Sequence, residues 1–407
     1  MASEQPLIRA MYPVKGFRLG TVEAGMRYPN RKDLVVMTWP EGASVAGVFT
    51  RNRFCAAPVE LSRQRLVSKP CALVVNTGNA NAGTGGQGLA DAETCTARLA
   101  EVLGCLPEQV LPFSTGVIGE YLPVPTLLAG LPACVERSAE SEAAWHQAAE
   151  GIMTTDTRPK GESVRFEHEG VVYTLTGIAK GAGMIRPDMA TMLAFVSTDV
   201  SIETACLQQI LNEVVNCSFN RITVDGDTST NDACLLVATG AAGNETVVST
   251  DQPLYRVLSK QVAVLCQRLA QSLVRDAEGA TKFVSVVVEQ AGSRQEALEV
   301  AYTVAHSPLV KTALFASDPN WGRILAAVGR ANVDDLDVAG ISIFLGDVCI
   351  ITGGGVAADY READGQAVMD QAEVVIRIAL SRGELTETVW TSDLSHDYVS
   401  INAEYRT

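Results

Sequence analysis

No stretch of this sequence reaches the eighteen or so apolar residues that a membrane span needs. Its opening, MASEQPLIRAMYPVKGF, lacks the charged-then-apolar order of a signal peptide, so a cytoplasmic chain is expected. Basic residues are outnumbered: 32 Lys and Arg face 47 Asp and Glu, a net charge of −15, with no block of like charge. Nucleic-acid binding rests on a basic footprint that releases counterions, which sets DNA, RNA and anionic membranes aside as partners. Histidine is scarce, and His146, His168, His306 and His396 fall in neither a G-x-S-x-G context nor a metal-ligand spacing. The ten cysteines (55, 71, 95, 105, 134, 206, 217, 234, 266 and 349) are scattered singly without a CxxC pair. They read as small buried thiols in a reducing compartment rather than zinc ligands or disulfides.

What is present is an ordinary globular composition. The 407 residues are 47% hydrophobic and 19% charged, enough for about two to three domains around a sizeable core. There is no internal repeat and no low-complexity linker. Helical spacing is clear at Leu207, Ile210, Leu211, Val214 and Val215, and again at Leu258, Val262, Leu265, Cys266, Leu269 and Leu273. Phe283 to Val288, Gly340 to Leu345 and Val348 to Thr352 read as strands, and Val368 to Leu380 as a late helix. Helices alternating with short buried strands predict an α/β class, a layered sandwich of helices and β-sheets.

Two segments invite a ligand reading and fail it. Asn76 to Gly88 (NTGNANAGTGGQG) follows the apolar strand Ala72 to Val75 and precedes a helix, where backbone amides could cradle an anion. It matches neither the dinucleotide fingerprint nor the P-loop. Asp225 to Asp232 (DGDTSTND) looks like a calcium loop, but its sixth position is Thr230 rather than Gly and its twelfth is Leu236 rather than Glu. A hydrogen-bonded turn following a strand around Ile222 and Val224 is the better reading.

The most informative segment is Lys180 to Asp199, KGAGMIRPDMATMLAFVSTD, in which a glycine-bearing loop ends at a hydroxyl and an apolar run from Met192 to Val196 begins. One chemistry that wants this arrangement is a threonine nucleophile freed by internal cleavage. Its hydroxyl attacks the preceding carbonyl, and the liberated α-amine, with an ordinary pKa of roughly 7.7–8.0, then serves as the local base without any histidine. A threonine at a strand start is otherwise a β-branched packing residue.

The run KGAGMI-P-MATML, with STGVIG at 114–119, FNRITVDGDTSTND at 219–232, RDAEGATK at 275–282, SDPNWGRI at 317–324 and the terminal NAEYRT, closely resembles the ornithine acetyltransferase family of arginine biosynthesis (ArgJ type). The blocks span nearly the whole chain in the family's order. The resemblance implies the family's self-cleaving fold with an N-terminal threonine nucleophile. The cut would fall between Ala190 and Thr191, leaving an α chain of residues 1–190 and a β chain of residues 191–407, assembled as a heterotetramer of two α and two β chains. Thr191 would carry the acetyl group from N-acetylornithine to glutamate, needing no metal or redox cofactor. Thr115 and Gly116 would donate to the oxyanion.

The same resemblance assigns the substrate pocket to Thr154 (with Thr155 its neighbour), Lys180, Thr191, Glu278, Asn402 and Thr407. Lys180 would meet a carboxylate, and Glu278 an amine or a proton in transit. Many relatives also take acetyl-CoA as donor, so the expectation extends to a bifunctional enzyme with acetyl-CoA as co-substrate. The alternatives are a self-cleaving threonine amidase or aminopeptidase with water as acceptor, and an uncleaved binding protein on the same scaffold.

Overall fold

The computed structural model describes residues 10–186 and 192–404 and divides into two compact units. The larger holds residues 10–220 and 227–273, the smaller residues 221–226 and 274–404, within those limits.

In the larger unit the elements run β1 (Arg18–Val22), β2 (Leu34–Thr38), β3 (Ser44–Phe49), α1 (Ala57–Arg65), β4 (Ala72–Asn79), α2 (Gly85–Leu103), β5 (Val110–Val117) and α3 (Val124–Glu136). They continue through α4 (Glu142–Gly151), β6 (Lys160–His168), β7 (Val171–Lys180), β8 (Leu193–Thr198), α5 (Thr204–Val215), β9 (Ala233–Ala238) and α6 (Pro253–Arg275), whose end counts with the smaller unit. Two sheets form, in the orders β1-β2-β4-β5 and β3-β9-β8-β7-β6.

The sheets meet face to face. Val35, Met37, Leu73, Val75, Leu111 and Phe113 of the first pack with Val45, Ile178, Leu193, Phe195 and Leu235 of the second. The rings of Phe113 and Phe195 lie edge to face, centroids 5.3 Å apart. The first sheet turns Leu34, Val36 and Val74 outward onto Leu99 of α2 and Leu127 and Leu131 of α3. On the far side of the second, a Cβ at Gly177 of β7 would stand 3.1 Å from Leu265 and 3.3 Å from Leu269 of α6. The layers therefore run helix, sheet, sheet, helix, which is the expected α/β sandwich. Strands covered on both faces need apolar residues on both, which is why β9 and the Leu193–Val196 part of β8 read as continuous apolar runs; every residue in both strands is buried.

The smaller unit continues with β10 (Phe283–Ala291), α7 (Arg294–Ala305), α8 (Pro308–Phe315), α9 (Trp321–Gly329), β11 (Ser342–Leu345), β12 (Val348–Thr352), β13 (Gly355–Val356), α10 (Glu362–Met369), β14 (Glu373–Ala379), β15 (Leu385–Ser392) and α11 (His396–Glu404). Its sheet has the order β13-β12-β11-β14-β10-β15 and packs Val284, Val286, Ile343 and Ile376 against Val300 and Val304 of α7 and Val328 of α9.

Two expectations fail here. The helix expected over Val368 to Leu380 ends at Met369, and the rest is strand β14. Val374, Ile376 and Ile378 point inward while Glu373 and Val375 are exposed, a period of two that suits β-branched side chains and decides against helix. Around Ile222 and Val224 there is no strand, only a single bridge from Ile222 to Trp390.

Candidate active site

The segment Ser114-Thr115-Gly116 closes β5, which runs parallel to β4 from Ala72↔Val110 to Gly78↔Gly116. The register breaks at Asn79, which faces both Thr115 and Val117. Gly116 makes the break, with φ at +133°. A Cβ there would lie 2.4 Å from the carbonyl carbon of Gly78, so only glycine fits. Polar side chains brace this end: Ser114 Oγ donates to Asn76 Oδ1 at 2.6 Å, and Asn76 Nδ2 donates to Asn79 O at 2.9 Å. Asn231, just before β9, donates from Nδ2 to Ser114 O at 2.9 Å and to Ala80 O at 2.6 Å.

Lys180 ends β7, and its Nζ donates to Thr154 Oγ1 at 3.2 Å, so two of the expected pocket residues are brought together. Thr154 and Thr155 are half-buried in the loop after α4. That loop is tied to Lys180 by Asp156, a buried residue the sequence reading passed over. Its Oδ2 accepts from Thr154 N at 2.9 Å; its Oδ1 accepts from Gly181 N at 2.7 Å and from Lys160 Nζ. Burial works to raise the Asp156 carboxyl, but the Lys160 and Lys180 charges and the Gly181 amide outweigh it and hold it down to about 2. Nearby Asp232 goes the other way: burial pushes it well above the usual carboxylate range, against the Lys180 charge and hydrogen bonds to Ser229.

In the smaller unit Glu278 is buried in the turn after α6, and its Oε2 accepts from Asn402 Nδ2 of α11 at 2.8 Å. Asp393 fixes the same turn, taking Thr281 N at 2.8 Å and Lys282 N at 2.9 Å on one oxygen and Thr281 Oγ1 on the other at 2.6 Å. Ala190, Thr191 and Thr407 lie outside the described residues.

The ArgJ family model matches residues 18–407. The arginine biosynthesis bifunctional protein ArgJ of Pseudomonas fluorescens is 58% identical over 397 residues, and that of Pseudomonas syringae pv. tomato 56% over 398, with 98% of each chain covered in both cases. The chain belongs to the ArgJ family. Among solved structures, an arginine biosynthesis bifunctional protein argJ from Bacillus halodurans is 39% identical, with a TM-score of 0.49, over 52% of this chain and 98% of that one. Ornithine acetyltransferase from Mycobacterium tuberculosis, complexed with ornithine, is 34% identical, with a TM-score of 0.40, over 45% and 98%.

For this ArgJ-family chain, the sequence shows Asp156 only as a neighbour of Thr154 and Thr155, and Asn231 only as a letter inside DGDTSTND. Their burial and double duties depend on pairings far along the chain. The consequence for Asp156 is testable. Asp156→Asn leaves the Lys160 and Lys180 charges without their shared carboxylate, which should cost about 3–5 kcal/mol in denaturant unfolding. The folded-state pKa is depressed, so the wild-type contribution is present above the unfolded value near 3.9 and is lost as pH falls toward 2. A variant as stable as wild type at pH 7 would refute this role.

Proposed function

We propose that this chain is a self-cleaving acyltransferase of arginine biosynthesis that moves acetyl from N-acetylornithine to glutamate through an ester on Thr191, and that it also takes acetyl-CoA as donor. The observation that carries the reading is the ArgJ-family match over residues 18–407, together with relatives at 56–58% identity that are named bifunctional. In maturation the Thr191 hydroxyl oxygen bonds to the carbonyl carbon of Ala190 as the C–N bond breaks and the nitrogen takes the hydroxyl proton. Water then hydrolyses that ester, leaving a carboxylate on Ala190 and a free α-amine on Thr191.

In turnover the same oxygen takes acetyl from the donor amide, ornithine leaves with the proton, and the glutamate amine displaces Thr191 from the acetyl carbon. Thr115 and Gly116 are read as donors to the oxyanion of both tetrahedral intermediates; the forced glycine geometry at the end of β5 supports that role. Lys180, braced by Thr154, is read as the partner of a substrate carboxylate, and Glu278, held by Asn402, as the partner of an amine. Thr407 is read as the remaining substrate-binding residue, as the family resemblance implies. No step calls for a metal or redox cofactor.

Cleavage would leave β7 and β8 paired antiparallel from Leu175↔Thr198 to Lys180↔Leu193, which supports pieces 1–190 and 191–407 staying together; their assembly as a heterotetramer of two of each is proposed on the family resemblance alone. No helix among the described residues is long and apolar enough to cross a membrane, and a cytoplasmic setting suits the expected substrates.

The test is kinetic. One nucleophile must hold acetyl while one amino acid leaves and another enters, so initial-rate plots should be parallel and glutamate should compete with acetylornithine for free enzyme. Acetylornithine alone should release about one ornithine per site rapidly and leave an acetyl mass increment on residues 191–407. Intersecting lines without that label would mean direct transfer in a ternary complex, and accumulation of free acetate would mean a hydrolase. Replacing acetylornithine with acetyl-CoA should leave the same label.

A further inference from the structure

We propose that Asn231 is a positioning residue for acyl transfer, holding the Ser114-Thr115-Gly116 end of β5 so that its donors point at the oxyanion. The inference rests on the reading of Thr115 and Gly116 as those donors. Asn231 is buried at 5% exposure, and its amide is fully used. One Nδ2 hydrogen goes to Ser114 O at 2.9 Å and the other to Ala80 O at 2.6 Å, while Oδ1 accepts from Thr230 Oγ1 at 2.6 Å. Its own backbone N donates to Ser229 Oγ at 3.2 Å.

One side chain thus ties together three pieces of the larger unit. They are the end of β5, the loop leaving β4, and the entry to β9, whose Ala233 N donates to Met192 O at 2.9 Å. Met192 directly follows the proposed nucleophile in sequence.

The peptide bond is planar, so fixing the Ser114 carbonyl fixes the plane that sets the direction of the Thr115 N and Cα. The β4–β5 ladder is irregular here: Asn79 faces two β5 residues, and Gly116 is in a conformation that regular pairing does not impose. A side-chain clamp from the segment entering β9 supplies the missing constraint. Displacement of a reacting group by about 1 Å costs on the order of 10²-fold, so the clamp acts on rate rather than on substrate affinity.

The experiment is a double-mutant cycle on mature enzyme, with active sites counted by the acetyl label. Asn231→Ser should lower kcat about 10- to 100-fold with KM changed less than about threefold. Thr115→Ala should lower kcat about 10²- to 10³-fold. In the Thr115→Ala background, Asn231→Ser should cost less than about threefold more, because the donor it positions is already gone.

Equal factors in both backgrounds, or an unchanged kcat in the single variant, would reduce Asn231 to a stabilising contact and overturn the proposal. If Asn231→Ser does not accumulate, Asn231→Asp has the same size with the two donors removed and carries the same comparison. An unchanged kcat for Thr115→Ala alone would strike the reading of Thr115 itself. That failure shows in the single variant whatever Asn231 does, and it takes the proposal with it.

Discussion

Thr191→Ala is expected to give one band of 407 residues on a denaturing gel and no acetyl transfer. The hydroxyl is the nucleophile in both reactions, and the α-amine that would act as its base exists only after the cut, so one substitution removes maturation and turnover together. The chain on either side is firmly held. Lys180 and Leu193 are paired across β7 and β8, every residue of β8 is buried, and Met192 O accepts from Ala233 N at 2.9 Å. Loss of one hydroxyl should therefore leave folding intact, with a melting temperature close to that of an uncleaved wild-type sample. Thr191→Ser keeps a hydroxyl and should cleave slowly. Fragments 1–190 and 191–407 from Thr191→Ala would end the self-cleavage mechanism, and residual transfer by the uncleaved chain would end the role of Thr191 as acyl carrier.

Much of this architecture was written in local patterns. The apolar spacing of Leu207, Ile210, Leu211 and Val214 became the buried face of α5, and Phe283 to Val288 became the centre of β10. The segment Val368 to Leu380 misled because its apolar residues fit either period until neighbours are known. Pairing of β14 with β10 and β11 on its two sides then makes strand the only form that satisfies its backbone. Motif blocks pointed to Thr115, Gly116, Lys180, Thr154, Glu278 and Asn402 as candidates, but not to what braces them. Asp156 serves Thr154, Gly181 and Lys160 only because β6 and β7 pair beside the loop after α4, and Asn231 reaches Ser114 across 117 positions of sequence. Such partners are created by topology, so no local pattern announces them.

Gly116→Ala should be the most damaging single change outside the nucleophile. At φ +133° an alanine is strained by about 1–3 kcal/mol even in open space. Here its Cβ would also meet backbone atoms at 2.4 Å (Gly78 C), 2.6 Å (Asn79 N) and 2.7 Å (Gly78 Cα), none of which can rotate away. β5 must move off β4 at the point where Thr115 and the Gly116 amide are read as donors, so both donors are misplaced at once. Each is worth on the order of 10²–10³ in rate, and a loss of more than about 10³-fold in kcat follows, with slow or absent self-cleavage and a lower melting temperature. Gly170→Ala separates strain from clash. That glycine also has a positive φ, +78°, at the β6–β7 turn, but nothing lies within 4 Å of its would-be Cβ. It should lose about 1 kcal/mol of stability and keep wild-type kcat. If Gly116→Ala matched Gly170→Ala in both stability and kcat, the close approach of β5 to β4 would have no part in the chemistry, and the oxyanion site would have to lie elsewhere.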